Sequence, residues 1–67
     1  MERLTESEKI RILAARKNIS LSELARRFGV SQSGFMNRLK ANNWRVSELQ
    51  KIGEILGFEF ITDFVEK

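Results

Sequence analysis

The chain has 67 residues, of which 42% are hydrophobic, so it lies near the lower limit of length for a single domain that folds alone. It contains no cysteine and no histidine, which excludes disulfides and thiolate metal sites and removes the commonest general base. We therefore predict no catalytic residue, no metal site and no cofactor. The formal net charge is a modest +3, so its distribution along the chain matters more than its total.

Charge is distributed unevenly along the sequence. From Lys9 to Arg45 the chain has nine basic residues and one acidic residue, Glu23, which gives a net charge of +8. The remaining residues include three basic and eight acidic ones, which gives a net charge of −5. A basic middle between acidic ends indicates one positive face that meets a polyanion. The alternative is a solvated surface with scattered lysines and arginines.

The sequence shows no membrane or export signal. No apolar stretch approaches the roughly 20 residues that span a bilayer. The first residues, MERLTESEK, lack the apolar run of a signal peptide. We expect a soluble, cytoplasmic chain that does not bind a membrane.

A capping box predicts the start of the first helix. In TESE, the Thr5 hydroxyl can accept a hydrogen bond from an amide of the first turn, while the Glu8 side chain reaches back. Ile10 and Leu13 follow at helical spacing, so we predict a helix over residues 6–17.

A second capping box predicts the next helix. In SLSE, Ser20 and Glu23 stand at the two positions of the motif, just ahead of an apolar stripe that ends at Phe28. Gly29 follows, where a left-handed residue would stop a helix. We therefore predict a helix over residues 21–28.

A third helix is predicted over residues 32–40, after a very tight turn. Only Val30 separates the glycine that ends the second helix from Ser31, the expected cap, so the two helices should cross steeply. Phe35 and Leu39, four residues apart, are predicted to anchor this helix to the core. On a helix of 100° per residue, the side facing away carries Gln32, Ser33, Met36, Asn37 and Lys40.

The polar side of the third helix is suited to nucleic acid. Amide and hydroxyl groups match the donors and acceptors on base edges, and the amino end of a helix attracts phosphate. Gly34 adds little bulk, which would let the helix sit deep in a groove. We therefore expect this side to contact DNA.

A fourth helix is predicted over residues 46–56, with Leu49, Ile52 and Leu56 on its apolar face. Gly53 costs this helix about 1 kcal/mol relative to alanine, unless it allows close packing against another helix, which is the account we favour. Trp44 is predicted to pack under the preceding loop against this helix. Its alternative place is against a sugar-phosphate strand.

The last segment changes to an alternating pattern, which predicts a strand over residues 58–65. A lone strand needs a partner, which either the amino-terminal MERL or a second chain could supply. We favour two tails paired in antiparallel fashion across a two-fold axis, with Ile61 and Val65 meeting the second subunit. The competing view is a monomer whose tail closes the core.

The segment LSELARRFGVSQSGFMNRL, Leu21 to Leu39, resembles the helix-turn-helix of the phage repressor and Cro type, also called the xenobiotic-response-element family. LQKIGEILG resembles the next core helix of that family. The match of the first segment rests on Ala25, Gly29, Ser31 with Gln32, and Phe35. The resemblance implies a mainly α, compact four-helix helix-turn-helix domain with a C-terminal β-strand.

Two positions depart from the family pattern. Arg38 stands where many members carry an apolar residue, and Leu39 takes the anchoring role instead. Gly53 stands where the family usually has alanine. The first departure leaves the rotation of the third helix open by about one residue.

The resemblance also implies a set of contacts with double-stranded DNA, with the third helix in the major groove. Residues matching base-reading positions are Gln32, Ser33 and Asn37, with Met36 and Arg38 as further candidates. The start of the second helix matches a phosphate-gripping position made by Ser20, Leu21 and Ser22. Further phosphate candidates are Ser31, Lys40, Arg16, Lys17, Asn42, Asn43 and Arg45.

Two classes of function stay open at this point. The first is a DNA-binding transcriptional regulator, natural or engineered, which as a two-fold dimer would present two recognition helices about 34 Å apart and read a palindrome. The second is a protein-interaction module, such as an antitoxin or adaptor, that uses the C-terminal strand.

Overall fold

Over the residues that the structure describes, 4–61 and 63–66, the computed structural model has four helices followed by two short strands. This architecture confirms the predicted mainly α domain with C-terminal β structure. Within the same residues, no helix combines the length and the apolar character needed to cross a bilayer. The elements are α1 Glu6–Arg16, α2 Leu21–Phe28, α3 Gln32–Ala41, α4 Val46–Leu56, β1 Phe58–Phe60 and β2 Phe64–Glu66.

The cap of α1 forms as predicted, whereas the cap of α2 forms only in part. The Glu8 amide donates to the Thr5 hydroxyl (3.2 Å), and the Thr5 amide donates to the Glu8 carboxylate (2.9 Å). At α2 the Ser20 hydroxyl accepts from the Glu23 amide (3.1 Å), but the Glu23 carboxylate turns to two arginines instead of reaching back. A carboxylate bonds more strongly to a guanidinium than to a neutral amide, which explains the difference.

The turn between α2 and α3 depends on a left-handed glycine. Gly29 has φ +97°, and the amides of Gly29 and Val30 both donate to the Ala25 carbonyl, at 3.0 and 3.1 Å. The Ser31 hydroxyl then accepts from the Gly34 amide (3.1 Å), which begins α3. The turn that joins α2 to α3 is therefore fixed by the left-handed backbone of Gly29 and by the Ser31 cap.

The core lies where the four helices meet. Its largest fully buried side chains are Phe35, Ile10, Leu24, Ile52 and Leu56. Trp44 is half-buried against this core, with its ring centre 5.7 Å from that of Phe35 and 6.4 Å from that of Phe28. Trp44 thus packs on the core as predicted, but the rings it meets belong to α2 and α3 and not to the fourth helix.

The prediction of a single strand over residues 58–65 is wrong, because the tail folds back as a hairpin. Strands β1 and β2 pair in antiparallel fashion, with Phe58 opposite Glu66 and Phe60 opposite Phe64. The Ile61 amide donates to the Asp63 carbonyl (3.2 Å) where the chain reverses. The strand therefore finds its partner within the same chain, and the argument that it needs a second subunit no longer holds.

The hairpin covers one end of the helical core. Phe58 and Phe60 are buried, and β1 packs against α4. Two ion pairs tie α1 to the hairpin, Lys9 with Asp63 (3.0 Å) and Lys17 with Glu66 (3.1 Å). The hairpin thus closes the domain on the side of α1 and α4.

Candidate nucleic-acid interface

Helix α3 has one buried and one exposed side, with the rotation that the sequence predicted. Phe35 and Leu39 are 0% and 4% exposed, whereas Gln32, Ser33 and Asn37 are all exposed. Leu39 therefore takes the anchoring role that many family members give to the preceding position. The polar side chains of this helix are left at the surface.

These polar side chains surround a shallow, open depression along α3. Met36 is half-buried at its floor and packs on the core, so it offers a partly exposed thioether. The depression thus combines two carboxamides, two hydroxyls, one thioether and one ammonium group, which between them offer both hydrogen-bond donors and acceptors. The residues lining it are Ser31, Gln32, Ser33, Met36, Asn37 and Lys40.

Arg38 is the one predicted base-contact residue that lies outside this depression. Its Nη1 donates to Glu48 Oε2 on α4, and its guanidinium carbon lies 5.8 Å from the centre of the Phe28 ring. Glu48 also accepts from the Arg45 amide (2.9 Å), and that hydrogen bond, with the nearby Arg38, lowers the pKa of Glu48. A base contact by Arg38 stays a prediction.

The start of α2 presents exposed polar groups beside a cation that the sequence reasoning missed. Ser20 and Ser22 are exposed, while Leu21 is half-buried and packs on the core. Arg11 of α1 lines the same depression as Ser20 and Leu21. It was missed because its position depends on how α1 packs against α2, which no local motif reports.

Arg16 and Lys17 lie on the hairpin side of α1. Arg16 lines a depression together with Ile12 and Phe64. Lys17 pairs with Glu66 and its Nζ lies 5.0 Å from the centre of the Phe58 ring. The structure therefore does not bring these two predicted phosphate contacts together with the start of α2, and their role stays a prediction.

The loop after α3 contains both a structural asparagine and exposed candidates. Asn42 ends α3 with φ +52°, and its Oδ1 accepts from the amide and the hydroxyl of Ser7, at 3.1 and 3.0 Å. Asn43 and Arg45 are exposed on the same loop, and Lys40 is exposed in the last turn of α3. The Asn42 side-chain oxygen is thus already used to join this loop to α1.

The single acid of the basic stretch is paired with cations of its own helix. Glu23 accepts hydrogen bonds from Arg26 (3.0 Å) and Arg27 (2.8 Å), and these bonds lower the pKa of its carboxyl to about 2. Glu23 is therefore charged at neutral pH and cancels part of the positive charge of α2.

The order of elements and the exposed face of α3 agree with a comparison to known families. Residues 9–66 match the family model of the Cro/C1-type HTH DNA-binding domain, from within α1 to the end of β2. No curated protein and no solved structure shows significant similarity to the chain. The match includes α2, the turn and α3, which together carry the interface described above. The chain therefore belongs to the Cro/C1-type helix-turn-helix family of DNA-binding domains.

Proposed function

We propose that the chain is a small transcriptional regulator that binds specific duplex sequences by placing α3 in the major groove. The observation that carries this proposal is the division of α3, in which Phe35 and Leu39 are buried while Gln32 and Asn37 are exposed. Glutamine and asparagine side chains can each form two hydrogen bonds with adenine, worth about 1–3 kcal/mol of discrimination. Ser33 and the partly exposed thioether of Met36 complete the proposed reading surface.

We propose that phosphates are bound on both flanks of α3. On one flank, the backbone amides at the start of α2 stand beside Arg11, which adds a positive charge to the helix amino end. On the other flank, the end of α3 and the following loop carry exposed polar and basic groups. The proposed phosphate contacts, beyond Arg11, are Ser20, Leu21, Ser22, Ser31, Lys40, Asn43 and Arg45.

The proposed role is binding without a catalytic step or a cofactor. DNA contacts of this kind give an affinity that falls steeply with salt and a preference among sequences that depends on Gln32, Ser33 and Asn37. A cytoplasmic location stays a prediction.

The test is a selection of bound sequences from a random duplex pool, followed by affinity measurements on the best and on a scrambled duplex. We expect Gln32→Ala with Asn37→Ala to reduce affinity for the selected duplex by about tenfold to a thousandfold and to leave binding of the scrambled duplex nearly unchanged. The matched control is Gln50→Ala, which removes an exposed carboxamide from α4. If the double variant keeps the sequence preference, the proposed reading surface is wrong.

A second candidate function is a protein contact through the C-terminal hairpin. Ile61 and Val65 are 67% and 54% exposed there, so the hairpin presents two large apolar side chains at the surface. We propose that a second copy of the chain covers them and gives a two-fold dimer. Sedimentation of the wild type and of Ile61→Lys with Val65→Lys tests this, because only the wild type should show a concentration-dependent increase in mass.

A further inference from the structure

Arg38 and Glu48 connect the flank of the recognition helix to α4. The guanidinium Nη1 donates to the carboxylate, and the two side chains remain 39% and 19% exposed. Arg38 directly follows Asn37, which faces the proposed DNA surface, and on a helix it is rotated from that residue by about 100°. Arg38 therefore lies on the flank of α3 between Asn37 and the buried Phe35, on the side of α4. There Glu48 also accepts from the amide of Arg45, a proposed phosphate contact.

The surroundings of this pair are basic. The Phe28 ring has the Arg38 guanidinium 5.8 Å from its centre and the Lys51 ammonium 5.0 Å from its centre. Glu48 places a carboxylate beside these cations and follows a stretch of chain in which basic residues outnumber acids nine to one. Its charge offsets a cation at the rim of the proposed interface.

We infer that Glu48 limits the DNA affinity of the chain by holding Arg38, and that Arg38 transfers from this carboxylate to a DNA phosphate oxygen in the complex. The inference rests on the proposed function. A helix in the major groove is flanked by the phosphates of both strands, so a cation at its edge meets phosphate rather than a base.

Arg38 can exchange the Glu48 carboxylate for a DNA phosphate with the same kind of hydrogen bond and at a small cost in free energy. A guanidinium forms the same charge-assisted hydrogen bonds with a carboxylate and with a phosphate. A half-exposed ion pair contributes little to stability, and its loss is offset by the counterions that DNA releases when a phosphate is neutralised. Glu48 therefore weakens binding to every duplex by the free energy needed to free Arg38.

Glu48→Gln is the variant that separates this charge effect from folding. The Glu48 carboxylate also accepts from the Arg45 amide (2.9 Å) at the start of α4. A glutamine at this position keeps an oxygen that can accept that bond, and it removes both the negative charge and the second oxygen, which Arg38 uses. Thermal unfolding of each variant checks that the fold is kept.

The experiment measures affinity for a selected and a scrambled duplex, over a series of salt concentrations, for four proteins. These are the wild type, Glu48→Gln, Arg38→Ala and the double variant. We expect Glu48→Gln to tighten binding to both duplexes by about twofold to fivefold. We expect Arg38→Ala to lower the slope of log affinity against log salt by about 0.9, as for the loss of one phosphate contact.

The double variant decides whether Glu48 acts through Arg38. If it does, Glu48→Gln in the Arg38→Ala background changes affinity less than about twofold. An equal gain in both backgrounds would show that Glu48 acts only as a general negative charge, and an unchanged salt slope in Arg38→Ala would show that Arg38 stays on Glu48. Either result overturns the inference, as does a loss on Arg38→Ala that is confined to one base pair.

Failure of the proposed function gives a different result. A wild type that binds the selected and scrambled duplexes equally contradicts sequence-specific regulation, yet the four proteins still report the exchange of Arg38 on either duplex. A wild type that binds neither duplex overturns both. The Gln32→Ala, Asn37→Ala variant, run beside the four proteins, identifies which of these cases applies.

Discussion

A Cβ atom built on Gly53 of α4 would lie 2.8 Å from the carbonyl oxygen of Phe58 in β1. This distance is shorter than van der Waals contact, and the obstacle is main chain, which cannot rotate aside as a side chain can. Gly53 thus lets the hairpin lie directly on α4. Close packing at Gly53 is confirmed, but its partner is strand β1 and not, as the sequence predicted, another helix.

We predict that Gly53→Ala lowers the free energy of unfolding by about 1–3 kcal/mol, because the strain of overpacking exceeds the gain in helix propensity. Chemical denaturation followed by circular dichroism measures the change. Gly34→Ala is the matched control, because its Cβ would lie 3.0 Å from the Ser31 hydroxyl, which is a side chain at the helix start that can adjust. We expect the control to cost less. An alanine at position 53 that leaves stability equal or higher would contradict this account.

Local features were predicted well, and features that depend on chain reversal or helix packing were not. The capping box at Thr5 and the left-handed Gly29 were read correctly because each needs only neighbouring residues. The hairpin was missed because Ile61 to Asp63 contains neither glycine nor proline, so the alternating pattern continues through the reversal.

The position of Arg11 shows the same limit for the candidate site. A helical pattern indicates that this arginine is exposed, but only the packing of α1 against α2 places it beside Ser20. The opposite holds for the exposed side of α3, because the helical period and the anchors Phe35 and Leu39 predicted which side faces outward, to within about one residue.

A part-buried polar network joins α1 to the loop after α3. The Trp44 indole donates to the Ser7 hydroxyl (3.0 Å), and that hydroxyl donates to Asn42 Oδ1 (3.0 Å). We predict that Ser7→Ala lowers the free energy of unfolding by about 1–3 kcal/mol, because the Trp44 indole loses its acceptor while Asn42 Oδ1 keeps only the Ser7 amide. Urea denaturation followed by tryptophan fluorescence measures it, since the chain has one tryptophan.

Ser47→Ala is the control for this network. Ser47 is exposed in the first turn of α4, so the same chemical change there should alter stability by no more than about 0.5 kcal/mol. Equal urea midpoints for Ser7→Ala and Ser47→Ala would mean that water replaces the Ser7 hydroxyl without loss of stability.

Stability should fall in acid as Glu23 takes up a proton. Hydrogen bonds from Arg26 and Arg27 lower the pKa of this carboxyl from 4.5 to about 2. Because the folded chain holds this proton less tightly than the unfolded chain, the contribution of Glu23 is complete above pH 4.5 and is lost as the pH falls towards 2. Unfolding by urea at a series of pH values measures how the free energy of unfolding changes with pH.

Glu23→Gln should reduce the change in the free energy of unfolding with pH. The joint change of Arg26→Ala and Arg27→Ala should do the same, because it removes the cause of the lowered pKa of Glu23. Glutamine cannot ionise, so the proton uptake at this position disappears. Because Glu23 and its two arginines are exposed, we expect the difference in acid stability between the variants and the wild type to be small and to diminish with added salt. Profiles that superimpose on the wild type would show that other carboxylates set the acid response.

Arg11 and Arg16 offer a direct comparison of two cations on α1. Arg11 lies beside the start of α2, whereas Arg16 lies on the side of the hairpin. We predict that Arg11→Ala lowers affinity for selected and scrambled duplexes alike and reduces the salt slope by about 0.9, because a phosphate contact carries no sequence information. Arg16→Ala removes the same charge from the same helix and should change the slope less. A larger effect at Arg16 would instead place the hairpin side of α1 against DNA.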